Sequence, residues 1–171
     1  DVLKNDPNVR VARGFGNFQE SYFMRGFITN SDDILYNGLY GLLPRQYIAS
    51  EMFERVEVQR GSSAFLNGMA PGGGSIGGTI ALMPKRAQAE DLNRLNLGYS
   101  SNERANISTD ISRRLGENRE FGVRLNAAHT EGESAIDNDN ARNTVFHLGL
   151  DLEVKTVRLS ADLGYQKNYL D

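Results

Sequence analysis

Cysteine and tryptophan are absent from the 171 residues, and only two histidines and four prolines occur. Without thiols there is no disulfide framework. With His129 and His147 well apart in the chain, there is no Cys/His spacing that could hold zinc. No apolar run approaches the roughly 18 residues that a membrane-spanning helix needs. Nineteen Lys and Arg stand against 22 Asp and Glu, for a net charge of −3, and no basic stripe is present to meet phosphates. Nucleic acid is therefore not an expected partner. No Gly-Lys pair exists to build a P-loop, and no nucleophile–base constellation is visible. The chain is not expected to be an enzyme. Its opening, "DVLKNDPNV", carries neither an initiator Met nor a signal-peptide pattern and reads as the continuation of a longer protein.

Glycine, by contrast, is plentiful: 18 residues, with Gly61, Gly68, Gly72, Gly73, Gly74, Gly77 and Gly78 crowded between two β-branched runs. A dinucleotide-binding turn would need a helix after the third glycine and an acidic residue about 20 positions on. Here "TIALMPKR" follows and reads as a strand ending at Pro84. The glycines are structural on this reading. They allow sharp turns and close packing where no Cβ fits.

Up to about Arg86 the pattern is irregular. From about Leu92 it becomes strict alternation, strand after strand. Leu95, Leu97 and Tyr99 share a face; so do Ala105, Ile107, Thr109 and Ile111; so do Phe121, Val123, Leu125 and Ala127. The runs Phe146–Val154 and Val157–Tyr165 alternate in the same way. Five such segments predict an antiparallel meander with one apolar and one polar side. Half of a soluble sandwich remains an alternative. The polar faces, however, carry Gly, Ser, Asn, Asp and Arg, and the apolar faces carry aromatics near strand ends. That favours a membrane barrel with lipid outside and a polar interior. The links at 115–120 and 155–156 are tight, whereas the polar, acidic stretch 130–143 reads as a long loop. Five strands cannot close a barrel, which takes about eight, so further strands are expected in a longer chain.

Four stretches, "FMRGF" (23–27), "LYNGL" (35–39), "FERVEVQRGSSAFLNGMAPGG" (53–73) and "GGTIALMPKRA" (77–87), resemble the plug domain of TonB-dependent siderophore receptors in their motifs and order. The resemblance implies a mainly β fold: a mixed plug domain followed by the first antiparallel strands of a transmembrane β-barrel, here incomplete. It places the plug at 1–88 and the first five or so strands of a barrel of about 22 at 89–171. It further implies a receptor and transporter in the cell outer membrane of a Gram-negative bacterium. Such a receptor binds ferric-siderophore complexes and imports them with energy transmitted by TonB through a segment ahead of the plug. Its partners are the ferric siderophore, TonB, outer-membrane lipid and lipopolysaccharide. No resident cofactor is expected, iron entering only as part of the cargo. Receptors for cobalamin, haem or a glycan remain alternatives, as does a soluble all-β binding module.

Carried over residue by residue, the resemblance assigns Arg25 and Arg60 to plug–barrel contacts, facing carboxylates on the barrel wall. Ion pairs inside the plug, with Glu54 or Glu57, are the other reading. It assigns Arg13, Ser31, Asp32, Tyr40 and Tyr47 to ligand binding at the plug apices. Asn67 departs from the family pattern, standing where many relatives have Tyr. His129 and His147 are expected to be wall residues, and Glu131, Glu133, Asp137 and Asp139 to be solvated surface.

Overall fold

A computed structural model describes residues 3, 6–12, 21–44, 48–61, 64–73, 76–100, 103–133 and 140–170. The chain divides into two compact units, Asp1–Pro84 and Lys85–Asp171. Strands dominate both. No helix among the described residues is long and apolar enough to cross a membrane, which leaves crossing by strands open.

The first unit holds two three-stranded sheets. In one, β1 (Val9–Val11), β2 (Ser21–Met24) and β3 (Phe27–Asn30) pair antiparallel in chain order. In the other, β6 (Gly78–Pro84) is central. It pairs parallel with β4 (Leu35–Tyr36) and antiparallel with β5 (Phe53–Arg60). A single helical turn, α1 (Ala64–Asn67), lies between β5 and β6. Flanked on both edges, β6 is buried almost throughout. Its Ile80 and Leu82 join Val9, Tyr22, Met24, Ile34, Ile48 and Phe53 in the core of this unit. The Tyr36 and Phe53 rings meet edge to face, 6.2 Å between centroids.

The Arg-Gly and Asn-Gly motifs turn out to be hairpin corners. Arg25 and Gly26 have φ of 52° and 89°, and Asn37 and Gly38 have φ of 49° and 83°. Two successive positive φ values are the signature of the type I′ turn, whose twist matches that of the strands it joins. Gly77 and Gly78 serve a different need. A Cβ on Gly77 would run into the Met24 carbonyl, and one on Gly78 would lie 2.7 Å from the Met24 methyl group. Glycine there lets β6 start directly against the β2–β3 corner.

The second unit is one five-stranded antiparallel meander: β7 (Leu92–Ser100), β8 (Arg104–Leu115), β9 (Phe121–Glu133), β10 (Asn140–Val154) and β11 (Val157–Leu170). Neighbours in sequence are neighbours in the sheet, and β7 and β11 form its two edges. From β8 to β11 the strands run 12 to 15 residues, longer than the roughly 9–11 that cross a bilayer at a tilt.

One expectation is corrected. The acidic stretch read as a long loop over 130–143 is largely strand: β9 continues to Glu133, β10 starts at Asn140, and these two residues are paired. Polar cross-strand pairs extend the ladder where apolar alternation has ended. Arg142 sits opposite Glu131 and donates to it at 2.5 Å, and His129 Nδ1 lies 2.9 Å from the Thr144 hydroxyl opposite. Asp137 and Asp139 lie outside the described residues.

Candidate functional site: a charged cradle on the polar face and the apex residues

The second unit buries its polar side. Asp110, Ser112, Arg124, Asn126, His147 and Asp151 are buried, while Leu95, Leu97, Phe146, Leu159, Leu163 and Tyr165 are exposed. Register explains how the polar residues meet. Opposite positions across β8, β9, β10 and β11 form rows: Arg114, Gly122, Asp151 and Ser160; then Ser112, Arg124, Gly149 and Asp162; then Asp110, Asn126, His147 and Gly164.

Across these rows lies the segment Lys85–Gln88, the first four residues of the same unit. Lys85 Nζ donates to Asp110 Oδ2 at 3.2 Å and to Asn126 Oδ1 at 2.8 Å. Arg86 grips Asp162 with both terminal nitrogens, Nη2 to Oδ2 at 2.5 Å. The backbone is held as well. Arg124 Nη1 donates to the Arg86 carbonyl at 3.2 Å, Arg114 Nη2 to the Ala87 carbonyl at 3.4 Å, and the Gln88 amide donates to Ser112 Oγ at 2.9 Å. Beneath them Arg124 forks onto both oxygens of Asp110, at 2.5 and 2.7 Å, and Arg114 donates to Asp151 at 2.8 Å.

Two glycines make room for this segment. A Cβ on Gly149 would stand 2.6 Å from the Lys85 carbonyl, and one on Gly122 would stand 2.7 Å from the Ala87 Cβ. Neither position has a left-handed φ, so close approach alone requires glycine there.

Four cations, Lys85, Arg86, Arg114 and Arg124, thus interleave with three carboxylates, Asp110, Asp151 and Asp162. The Arg124 side chain is 2% exposed and that of Asp110 7%. A buried ion pair adds little net stability compared with apolar residues of the same shape. Removing one member, however, strands a charge at a cost of about 3–5 kcal/mol. The cradle therefore specifies where the segment lies more than it stabilises the sheet. His147, in the same face, has its Nε2 3.4 Å from Asp162 Oδ1, at the long limit for a hydrogen bond.

None of these residues was singled out as functional from sequence except His147, read as a wall residue. The alternation did place Asp110, Arg114, Arg124, Asp151 and Asp162 on polar faces. Pairing them requires the register, which periodicity alone does not supply.

The sequence-predicted residues of the first unit are placed as follows. Arg13 and Tyr47 lie outside the described residues. Ser31 opens a 3-10 turn (Ser31–Asp33) and is 2% exposed, which makes it a turn residue with its side chain withdrawn from solvent. Asp32 in that turn is half-buried and engaged in an interaction. Its neighbour Asp33 is buried and accepts the Gly72 amide at 2.7 Å, tying the turn to the glycine-rich stretch. Tyr40 is half-buried, and its hydroxyl has no partner among the described residues. Asn67 donates to the Gln59 side chain at 2.5 Å.

Arg25 is exposed at the β2–β3 corner with its guanidinium over Gly61: a Cβ on Gly61 would stand 3.7 Å from Nη1. Arg60, also exposed, pairs with Asp6 at 3.0 Å, while Arg55 pairs with Glu57. The ion pair of Arg60 inside the unit is thus with Asp6, a partner distant in sequence, rather than with the nearby Glu54 or Glu57. The Asn8 backbone amide and the Arg60 guanidinium hold the Asp6 carboxyl below its ordinary value of 3.8.

A meander that shows its apolar side and buries its charges has the alternation of strands from a membrane barrel. Residues 1–75 match the family model of the TonB-dependent receptor plug domain. The chain is 46% identical over 167 residues to the ferrichrome receptor FcuA of Yersinia enterocolitica, covering 98% of this chain and 22% of that protein. It is 28% identical to the ferripyoverdine receptor of Pseudomonas aeruginosa, covering 98% and 21%. Among solved structures, BauA, the ferric preacinetobactin receptor of Acinetobacter baumannii, superposes with a TM-score of 0.88 at 38% identity, covering 97% of this chain and 25% of that one. Residues 1–75 thus match the plug domain of the TonB-dependent receptors, and the chain along nearly its whole length is similar to ferric-siderophore receptors. It spans about a fifth to a quarter of the length of these relatives.

Proposed function

We propose that the protein containing this chain sits in the outer membrane of a Gram-negative bacterium, binds a ferric siderophore from outside, and imports it with energy transmitted by TonB. The observation that carries this reading is the inverted second unit, with Leu95, Leu97, Leu159 and Leu163 outward and Arg124 and Asp110 inward, directly after a plug-domain match. An open sheet with edges at β7 and β11 is stable in lipid only once further strands close it, as the much longer relatives would supply. The function is binding and transport rather than catalysis, with iron as cargo and no resident cofactor. Lipid and lipopolysaccharide are the surroundings of the barrel.

The siderophore reading is favoured over cobalamin, haem or a glycan because the relatives reported above are named for ferrichrome, pyoverdine and preacinetobactin. On the ligand side, Arg13, Asp32, Tyr40 and Tyr47 are the proposed contacts. Cation, hydroxyl and aromatic groups suit the carbonyl and oxyanion shell of a ferric chelate. Ser31 belongs to the same proposed set through the turn it shares with Asp32. Arg25 and Arg60, exposed on one unit, are proposed to pair with carboxylates elsewhere in the receptor; for Arg60 this means exchanging Asp6 for a second partner.

The test is uptake of radioactive iron by an iron-starved, receptor-null strain expressing the full-length receptor, with purified siderophores supplied one at a time and ferrichrome first. Uptake that needs both the receptor and TonB is expected. Uptake of none of the siderophores, with the receptor present as a heat-modifiable band in the outer-membrane fraction, would overturn the ligand class. Recovery of the receptor in the soluble fraction would overturn the whole reading.

A further inference from the structure

The chain passes from the first unit to the second at Pro84–Lys85, and the four residues that follow are held more elaborately than a connector requires. Strands β8, β9, β10 and β11 all contribute. Asp110 takes Lys85, Arg124 takes the Arg86 carbonyl, Gly149 admits the Lys85 carbonyl, and Asp162 takes the Arg86 guanidinium. All four consecutive residues are held, by side chain or backbone, so a pull arriving through Pro84 must break several contacts within one short segment. By contrast β6, the last strand before the boundary, is tied by backbone pairing to β4 over two residues and to β5, and it holds no charged side chain that could make a comparable set of contacts.

We propose that Lys85–Gln88 is a fixed anchor: when the first unit is drawn out, extension ends at Pro84 and the second unit keeps the chain from Lys85 onward. This rests on the reading that force reaches the first unit through TonB, but the anchor is a mechanical property of the sheet and can be measured without transport. The Arg86–Asp162 pair is its main side-chain element, since it is the bidentate contact and reaches the edge strand β11. The Gly149 seat is its main steric element. The anchor sets how much chain can leave: everything before Lys85 and nothing after it, so the sheet keeps its polar face covered at that place while the first unit is displaced.

The experiment is single-molecule pulling on the full-length receptor in a membrane, with the handle attached to a cysteine placed at residue 1, the 171 residues having none of their own. The 84 residues of the first unit should release about 290 Å of extended chain, after which extension halts at a distinct, higher force. In an Arg86→Ala/Asp162→Ala double variant, which removes both charges and leaves neither stranded, the halt is lost or moves to greater extension. Gly149→Ala, which changes no charge, should weaken the same halt by lifting the Lys85 carbonyl from its seat. Heat-modifiability on a gel confirms that each variant has an assembled barrel, and if the double variant fails to assemble, Gly149→Ala carries the comparison. Extension running past Pro84 in the native receptor without a halt overturns the anchor. So does a halt that stays unchanged in the assembled variants. Failure of iron uptake with the halt intact would count against the transport reading only.

Discussion

In the first unit the fully buried side chains include Ile34, Leu35 and Ile80; in the second they include Arg124, Ser112 and His147. The exposed residues reverse in the same sense, with Leu97, Tyr99 and Leu163 outward in the second unit. One chain therefore uses two solvent rules, and both are satisfied by short-range pairing of β-strands. Where apolar groups are inside, burial supplies the drive and glycine corners supply the shape. Where charges are inside, each needs a partner at hydrogen-bond distance, and the register of four strands supplies it. An irregular small core tolerates local adjustment. A charge ladder tolerates very little, because one slip in register leaves several ions unpaired.

That contrast is tested most strongly by Asp110→Ala in the intact receptor. It removes the carboxylate shared by Arg124 and Lys85 and should cost about 3–5 kcal/mol. The loss should appear as a lower temperature for the heat-modifiable gel shift, with little change in protease resistance of the first unit. Ile80→Ala should do the reverse. It empties a site 0% exposed at the centre of β6 at a cost of about 2–5 kcal/mol, opening the first unit to protease while the barrel shift stays in place. If both substitutions moved both readouts equally, the two units would not be separable in stability.

Smaller effects sharpen the role of glycine. Gly38→Ala meets no neighbour, so its cost is the left-handed φ of 83° alone, about 1–2 kcal/mol. Gly77→Ala should cost more than Gly38→Ala, since its Cβ collides with backbone. Equal losses in protease protection would show that packing at Met24 yields freely.

The smallest effect concerns acid. The Asp6 carboxyl is depressed in the folded state, so its contribution is complete above its ordinary value and is lost as pH falls through the folded one. Protection of the first unit should decline slightly as pH drops below about 4, and Asp6→Asn should flatten that decline. An unaltered acid profile in the variant would remove the Asp6–Arg60 contact from the account.

Much of this architecture is legible in the amino-acid sequence. Period-two alternation from Leu95 to Tyr165 specified strands, faces and chain order, because a strand's side chains must alternate and neighbours in a meander are joined by short turns. The Asn-Gly and Arg-Gly pairs entered only as motifs of the resemblance, and that they are corners of type I′ became visible only with the φ values. The extent of β9 and β10 was underestimated: Glu131, His129, Thr144 and Arg142 look like loop composition until they are seen facing one another. Ser31 is assigned to an apex by the resemblance alone, and only the structure shows that its turn is tied to the Gly72 amide through Asp33.

Composition and periodicity alone settled that these residues form mostly strands, that the second half has a greasy and a polar side, and that the chain holds no cysteine and no Gly-Lys pair. Those are properties of nearest neighbours along the chain. Which aspartate answers which arginine, and that Lys85–Gln88 is seated across four strands over Gly122 and Gly149, was decided only by the tertiary structure. Such contacts join residues 14 to 76 positions apart, and a charge's partner depends on which residues of neighbouring strands stand opposite one another.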